Sequence, residues 1–287
     1  MFQTMCLDFP KEIREKKDLY ITNPNLTYYL AGTKKPENVT LVTTPKSGTH
    51  LLIKILNILG VSYKSNSENM SYAPHICQYG DFLPHKFLQE ENLKEPFDLN
   101  QKYIVTIRDP KDFIISYIQW LGKEMSEGLI PEEEEWKNAS MEEKLDQLLA
   151  GGQMKFSTLQ AAPWYIGNYL VAEKLMHLAL PHILFLRFED LIGPELGGSS
   201  KEKQIDTLTK LCQFTGTTVT DQKLDHLIKL LPGNTLTYID QKKVGKWKDY
   251  FTEKHIQMYK FRFTRLEKGL GYSTDLENFI PISSQVA

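Results

Sequence analysis

Residues 39–60 read VTLVTTPKSGTHLLIKILNILG, and a change of rhythm inside this stretch decides the fold. Residues 39–45, VTLVTTP, are β-branched and apolar, as in a short strand buried on both faces. From KSGTH onward, Leu51, Leu52, Ile55, Leu56 and Leu59 recur at helical spacing. The stretch reads strand, tight turn, helix, with Lys46, Ser47, Gly48, Thr49 and His50 at the turn. A helix start offers unpaired backbone N–H groups and the positive end of its dipole, Gly48 lets a ligand approach the backbone, and Lys46 adds a mobile full charge. The turn is built for an anion. An exposed turn uses the same residue types, so the flanking strand and helix carry the argument.

Working outward, residues 102–108, KYIVTIR, repeat the buried-strand signature, and DPKD supplies a turn with a proline at a helix start before FIISYIQWLG. A third apolar strand, ILFLRFEDL, is expected over 183–191. It follows a helical stretch from about Leu159 to Leu178 and precedes helical segments from Lys201. Alternation of strands and helices predicts an α/β fold: a mainly parallel central sheet flanked by helices, in one domain spanning residues 1–287, with ligands at the carboxyl ends of the strands. Residues 62–80, rich in Ser, Asn and Tyr, and residues 123–140 read as loops or lids. The acidic run Glu132 to Glu135 reads as a solvated helix start without a binding role.

Composition narrows the function. Apolar residues at 41% and charged residues at 24% support a sizeable core. A net charge of −2 argues against nucleic-acid binding through a broadly basic surface, so any anion must be held locally. Cys6, Cys77 and Cys212 are odd in number and lack CxxC spacing, which fits a reducing compartment and supports neither a disulfide framework nor a cysteine zinc site. The first residues, MFQTMCLDFPKEIREKKDLY, hold no apolar core of signal-peptide length, and no run approaches the roughly 20 apolar residues that cross a bilayer. The expectation is a cytoplasmic protein without a membrane partner.

A P-loop nucleoside triphosphatase shows GxxxxGK[ST], in which the lysine follows the second glycine and the next hydroxyl holds magnesium. Here Lys46 precedes Gly48. In that inversion PKSGTH resembles the 5′-phosphosulfate loop of the cytosolic-type sulfotransferase family. IRDPKDFIIS resembles the family's next donor-binding segment, with Arg108 at the strand end and Ser116 eight positions on. LRFEDL resembles the strand whose aromatic residue, here Phe188, packs on adenine. KKVGKWKDYFT resembles the C-terminal glycine and tryptophan segment, making Lys242, Lys243, Val244 and Gly245 candidates for closing over a 3′-phosphate. The resemblance implies a P-loop-like sulfotransferase fold, with 3′-phosphoadenosine 5′-phosphosulfate (PAPS) as co-substrate, 3′-phosphoadenosine 5′-phosphate (PAP) as product, and no metal. It implies a small acceptor, apolar or aromatic, held by residues 62–90, 123–160 and 232–245. In this reading Lys46 stabilises the leaving group, Ser116 restrains Lys46, and Arg108 with Ser116 binds the 3′-phosphate.

The sequence departs from the family pattern where Asp240 and Gln241 replace an arginine and a lysine, where Leu51 replaces a tryptophan, and where Phe82 replaces the histidine before Leu83 and Pro84. His85, just after that pair, is the candidate general base, with His75 as the alternative. A loop histidine is also an ordinary exposed residue. Two rival readings stay open: a P-loop-type kinase, and a family member that binds PAP or PAPS without turning over. Monomer and homodimer are equally open.

Overall fold

A computed structural model describes residues 39–43, 46–61, 63–64, 102–128, 133–150, 169–170, 172–173, 176–177, 179–231 and 244–272. Among them, strands β1 (Val39–Thr43), β2 (Tyr63–Lys64), β3 (Lys102–Ile107) and β4 (Ile183–Arg187) form one sheet in the order β2-β1-β3-β4, all pairs parallel. Helix α1 (Thr49–Ile58) leads from β1 to β2 on one side, and the chain then returns to place β3 on the other side of β1. The strand order therefore reverses between β1 and β3. A crevice opens at the carboxyl ends of two such strands, because their connections leave in opposite directions.

Residues buried on both faces explain why these strands read as unbroken apolar runs. Along β3, Tyr103, Val105 and Ile107 enter one core, and Ile104 enters the other. The first core is closed by α2 (Pro110–Ser126), α4 (Met141–Ala150) and α8 (Glu253–Gly269), with Phe113, Tyr117, Leu148, Tyr259 and Phe263 inside. The second is closed by α1, α5 (Phe188–Ile192), α6 (Lys201–Phe214) and α7 (Asp221–Leu230). A short helix α3 (Glu134–Asn138) precedes α4 and buries Trp136.

The expected parallel sheet with helices on both faces is present, but three local expectations change. FEDL is not strand: β4 stops at Arg187, and Phe188 opens α5, whose first turn carries Glu189 and Asp190 where acidic charge suits the helix dipole. Residues 62–80 are not all loop, since Tyr63–Lys64 pairs with β1, a bridge too short to leave a periodic signature. Residues 123–140 are not simply a lid, because α2 runs on to Ser126 and α3 occupies 134–138. A Cβ on Gly122 would meet open space, so this glycine interrupts the pattern of α2 without interrupting the helix. The start of α3 at Glu134 agrees with the reading of the acidic run.

The DPKD turn is more deeply built in than its charges suggest. Asp109 caps α2 by accepting the Lys111 N–H at 2.9 Å, with Pro110 at the first helical position, where its missing N–H costs nothing. The Asp109 N–H itself donates to Glu189 Oε1 at 2.8 Å, tying the end of β3 to the start of α5. Lys111 turns inward, only 3% exposed, to pair with the fully buried Glu267 of α8 and with Asp109 at 3.2 Å. The rings of Trp247 and Tyr259 flank its ammonium at 5.3 and 5.2 Å. Removing one member of a buried pair leaves an uncompensated charge. Glu267→Ala should lower stability in urea unfolding by about 3–5 kcal/mol, and Lys111→Met with Glu267→Leu should recover most of that loss. Equal losses in the two variants would show that the ion pair is not the source.

Candidate functional site

The turn after β1 is pinned from below by two buried hydroxyl pairs. Ser47 Oγ lies 2.9 Å from Thr106 Oγ1 of β3, and Thr49 Oγ1 donates to Thr43 Oγ1 of β1 at 2.8 Å. The turn itself is made by left-handed backbone on either side of Ser47, with Lys46 at φ 63° and Gly48 at φ 93°. Left-handed geometry is costly for a lysine and free for a glycine. Gly48 is required for a second reason: a Cβ there would lie 2.4 Å from Cδ2 of Phe188. No side chain caps the start of α1, whose first N–H groups lie at the positive end of the helix dipole.

Arg108 follows β3 directly and is 7% exposed. Its Nη1 donates to the Lys46 carbonyl at 3.2 Å, and its guanidinium lies 4.7 Å from the centre of the Phe188 ring. The ends of β1, β3 and β4 thus meet at one point. Phe188 is itself buried, wedged between Gly48 and Arg108.

A fourth segment is held over this point by Asp112. Its buried carboxylate accepts the Gly245 N–H at 2.7 Å through Oδ2 and the Trp247 N–H at 3.1 Å through Oδ1. Gly245 adopts φ 76°, and a short 3-10 turn, Lys246–Asp249, follows it. Val244 packs beside Gly197. Two turns further along α2, Lys246 Nζ donates to Gln119 Oε1 at 3.0 Å, and Gln119 Nε2 donates to the Tyr250 hydroxyl at 3.1 Å. Asp112, Ser116 and Trp120 are spaced four apart, so they share one face of α2. Asp112 holds the Gly245 segment, Ser116 is half-buried, and Trp120 carries the Lys46 ammonium 5.5 Å from its ring centre.

The arrangement gathers Lys46, Arg108 and the glycine turns at Gly48 and Gly245 about two parallel strand ends. A family model described as a sulfotransferase domain matches residues 36–271. The chain belongs to the sulfotransferase family. A flavonol 4′-sulfotransferase of Flaveria chlorifolia is 26% identical over 256 residues, covering 76% of this chain and 75% of that protein. The crystal structure of mouse sulfotransferase SULT7A1 complexed with PAP superposes with a TM-score of 0.50 at 18% identity, over 86% of this chain and 91% of that one, a likeness of fold. The chemistry of this sulfotransferase is sulfuryl transfer.

Of the residues singled out in the sequence, Lys46, Ser47, Gly48, Thr49, His50, Arg108, Ser116, Phe188, Val244 and Gly245 lie on the elements that form the crevice. His75, His85, Lys242 and Lys243 lie outside the described residues. Sequence reasoning missed Asp112 and Trp120. Asp112 was hidden in the DPKD turn, where a carboxylate reads as a cap, and its partners lie more than 130 positions away. Trp120 was legible in principle as the residue one turn beyond Ser116. Among the described residues no cluster of His, Cys, Asp or Glu could hold a metal ion, and no helix is long and apolar enough to cross a membrane.

Two titratable groups beside the crevice are displaced in opposite directions. Burial first, and then the Lys46 ammonium, hold the His50 imidazole down at about 4, against an ordinary value of 6.5, so His50 is neutral at physiological pH. Burial pushes the Glu189 carboxyl up to about 7, with the Asp109 N–H bond opposing the shift. Folded His50 binds fewer protons than its unfolded counterpart, so its contribution is lost as pH falls from about 6.5 towards about 4. Folded Glu189 binds more, so its contribution is present below about 4.5 and is lost as pH rises through about 7. On moving from about pH 7.5 to about pH 5, His50→Asn should lose less stability than the parent and Glu189→Gln should lose more, each by on the order of 1–2 kcal/mol in denaturant titrations. Parallel behaviour of all three proteins would contradict both assignments.

Proposed function

We propose that this sulfotransferase takes PAPS as donor, transfers its sulfuryl group to a hydroxyl or amine of a small apolar or aromatic acceptor, and releases PAP. The observation that carries the reading is the Arg108 bond to the Lys46 carbonyl, which joins an anion-binding helix start to a guanidinium at the point where strand order reverses. A molecule with anionic groups on its 5′ and 3′ sides matches that pairing. The donor, when bound, supplies an electrophilic sulfur carried on a nucleotide leaving group.

The chain's own residues fit such a donor. The N–H groups of Ser47 and Gly48 in the turn, with that of Thr49 at the start of α1, serve the 5′ side, where a Cβ at Gly48 would meet Phe188. His50, neutral beside Lys46, offers a hydrogen bond there without adding charge. Arg108, Ser116 and the Val244–Gly245 segment, with Lys242 and Lys243 before it, serve the 3′-phosphate, and Arg108 contributes a planar fork matched to phosphate. Phe188 walls the adenosine side. In transfer, a bond forms between the acceptor oxygen and sulfur as the bond from sulfur to the bridging oxygen breaks. His85, or His75 in its place, takes the acceptor proton, and Lys46 answers the charge left on the bridging oxygen. Cationic side chains and a helix dipole supply what magnesium supplies in phosphoryl transfer, so the reaction should proceed in a metal chelator.

The aromatic acceptor draws support from the flavonol 4′-sulfotransferase relative, and the nucleotide from the PAP in the mouse structure. A cytoplasmic, single-domain enzyme is the corresponding cellular reading. Calorimetry should show PAP binding preferred over ATP. Arg108→Ala should weaken PAP by roughly tenfold to a hundredfold, the worth of a charge-assisted bond, while Lys46→Ala should depress transfer by about a hundredfold or more with a smaller effect on PAP. Preference for ATP would assign the crevice to phosphoryl transfer. Tight PAP binding with no 80-dalton gain, the mass of SO3, on any member of a phenol, alcohol and amine library, about as sensitive a test as sulfuryl transfer allows, would leave a nucleotide-binding protein.

A further inference from the structure

We propose that the outer face of α8 is a docking surface for an anionic phospholipid bilayer, on which the protein lies through Phe261 and the cations around it. This surface does not depend on what the crevice binds. Phe261 is 91% exposed, and among the described residues Leu170, at 43%, is the only other large apolar side chain so exposed. Lys254, Gln257, Arg265 and Lys268 share its face at helical spacing, and all four are exposed. Lys260 and Arg262 flank it. The inner face of the same helix is already employed, with Tyr259, Phe263 and Leu266 in the first core and Glu267 on Lys111. Packing within the fold therefore gives position 261 no reason to be aromatic.

The charge on this face is also unusual for the molecule. Other surface helices neutralise their lysines: on α6, Lys210 and Lys203 reach Asp206 at 2.7 and 3.9 Å, and on α2, Lys123 reaches Glu127 at 3.6 Å. On α8, Lys254 has such a partner in Asp146, at 2.5 Å. Among the described residues Lys260, Arg262, Arg265 and Lys268 have no carboxylate at ion-pair distance, and Arg262 donates to the Leu149 carbonyl at 3.0 Å. The carboxylates of α8 itself are engaged elsewhere, Glu267 by Lys111 and Glu253 by Gln257 Nε2 at 2.6 Å. A cation in the last turn suits the helix dipole, which accounts for Lys268. It accounts neither for Lys260 nor for a ring among the cations. In a chain of net charge −2, positive potential is thus concentrated on one ridge.

The combination selects the occupant. A second copy docked by two-fold symmetry would set these cations against themselves. A soluble polyanion would engage the cations and leave the ring in water. An anionic bilayer takes both, because its headgroups attract Lys and Arg while an aromatic ring settles at the boundary between headgroups and acyl chains without needing a preformed pocket. Thr264 donates its hydroxyl to the Lys260 carbonyl at 2.7 Å, so that group carries no unmet donor into the interface. The sequence argued against a segment that spans a bilayer, and a face that lies on one needs no span. Adsorption would bring the enzyme to apolar acceptors that partition into lipid, if the acceptor reading above holds.

Cosedimentation of the full-length chain with vesicles tests this. The parent should pellet with phosphatidylcholine vesicles containing about one third phosphatidylserine, stay in solution with phosphatidylcholine alone, and be released by about 1 M salt, where the screening length is about 3 Å. Arg265→Gln with Lys268→Gln should weaken binding roughly twentyfold, about fivefold per cation, and Phe261→Ser roughly fivefold to tenfold. Lys203→Gln with Lys210→Gln removes the same charge from α6, which closes the other core, and should stay within about twofold. The replaced side chains are all exposed, so thermal unfolding should match the parent in every variant. A parent that stays in solution with both vesicles, equal losses from the α6 and α8 charge changes, or unaltered binding in Phe261→Ser overturns the proposal. Binding to soluble polyglutamate as tight as to vesicles, and indifferent to Phe261→Ser, also overturns it and makes the face one for an acidic protein.

Discussion

The carbonyl of Lys46 and the guanidinium of Arg108 meet at 3.2 Å where β1 and β3 run out side by side, and the rest of the site is arranged around that meeting. A parallel pair brings both chain ends out on the same edge, which an antiparallel pair could not do. The register of β1 on β3, with Thr43 opposite Thr106, places the turn after one strand level with the turn after the other. Buried hydroxyls then fix the level: the Ser47 to Thr106 pair crosses between the strands, and the Thr49 to Thr43 pair closes the turn on its own strand. Hydroxyl pairs suit this work, because a buried polar contact that is satisfied stays put and one that is broken is costly.

Helix α2 is the second organising element. Its cap, Asp109, is bound from β4's side through Glu189; its inward lysine anchors α8; and Asp112, Gln119 and Trp120 reach from it to the Gly245 segment and to Lys46. One helix thus links Lys46, the Gly245 segment and α8. Glu189 extends the same frame by accepting the Tyr272 hydroxyl at 3.0 Å, so the chain beyond α8 is fastened to the strand ends as well.

The central framework was legible in the sequence because buried strands and amphipathic helices write opposite periods, and the break between them at Pro45 to Thr49 is abrupt. The turns after β1 and β3, with Arg108, were legible for the same reason: they sit where one period gives way to the other. Phe188 was assigned to the wrong element, since an apolar run cannot say whether its last four residues continue straight or coil. β2 carried too little sequence to be seen. Lys111 illustrates a different failure, for a lysine between an aspartate and a proline reads as surface, and only its partner Glu267 on a distant helix makes burial affordable. The role of Asp112 depends on a pairing across more than 130 positions, and no local pattern encodes it.

The hold of Asp112 on Gly245 and Trp247 also sets an order of events during synthesis. Strands β1, β3 and β4 and their turns emerge from the ribosome well before the segment that covers them, so for part of translation the nascent chain presents an open, cationic edge with a buried-to-be carboxylate still hydrated. Only when Trp247 and α8 leave the exit tunnel does Asp112 receive its two donors and Lys111 its partner Glu267. The last turn and helix to be made therefore complete a crevice whose walls were laid down first.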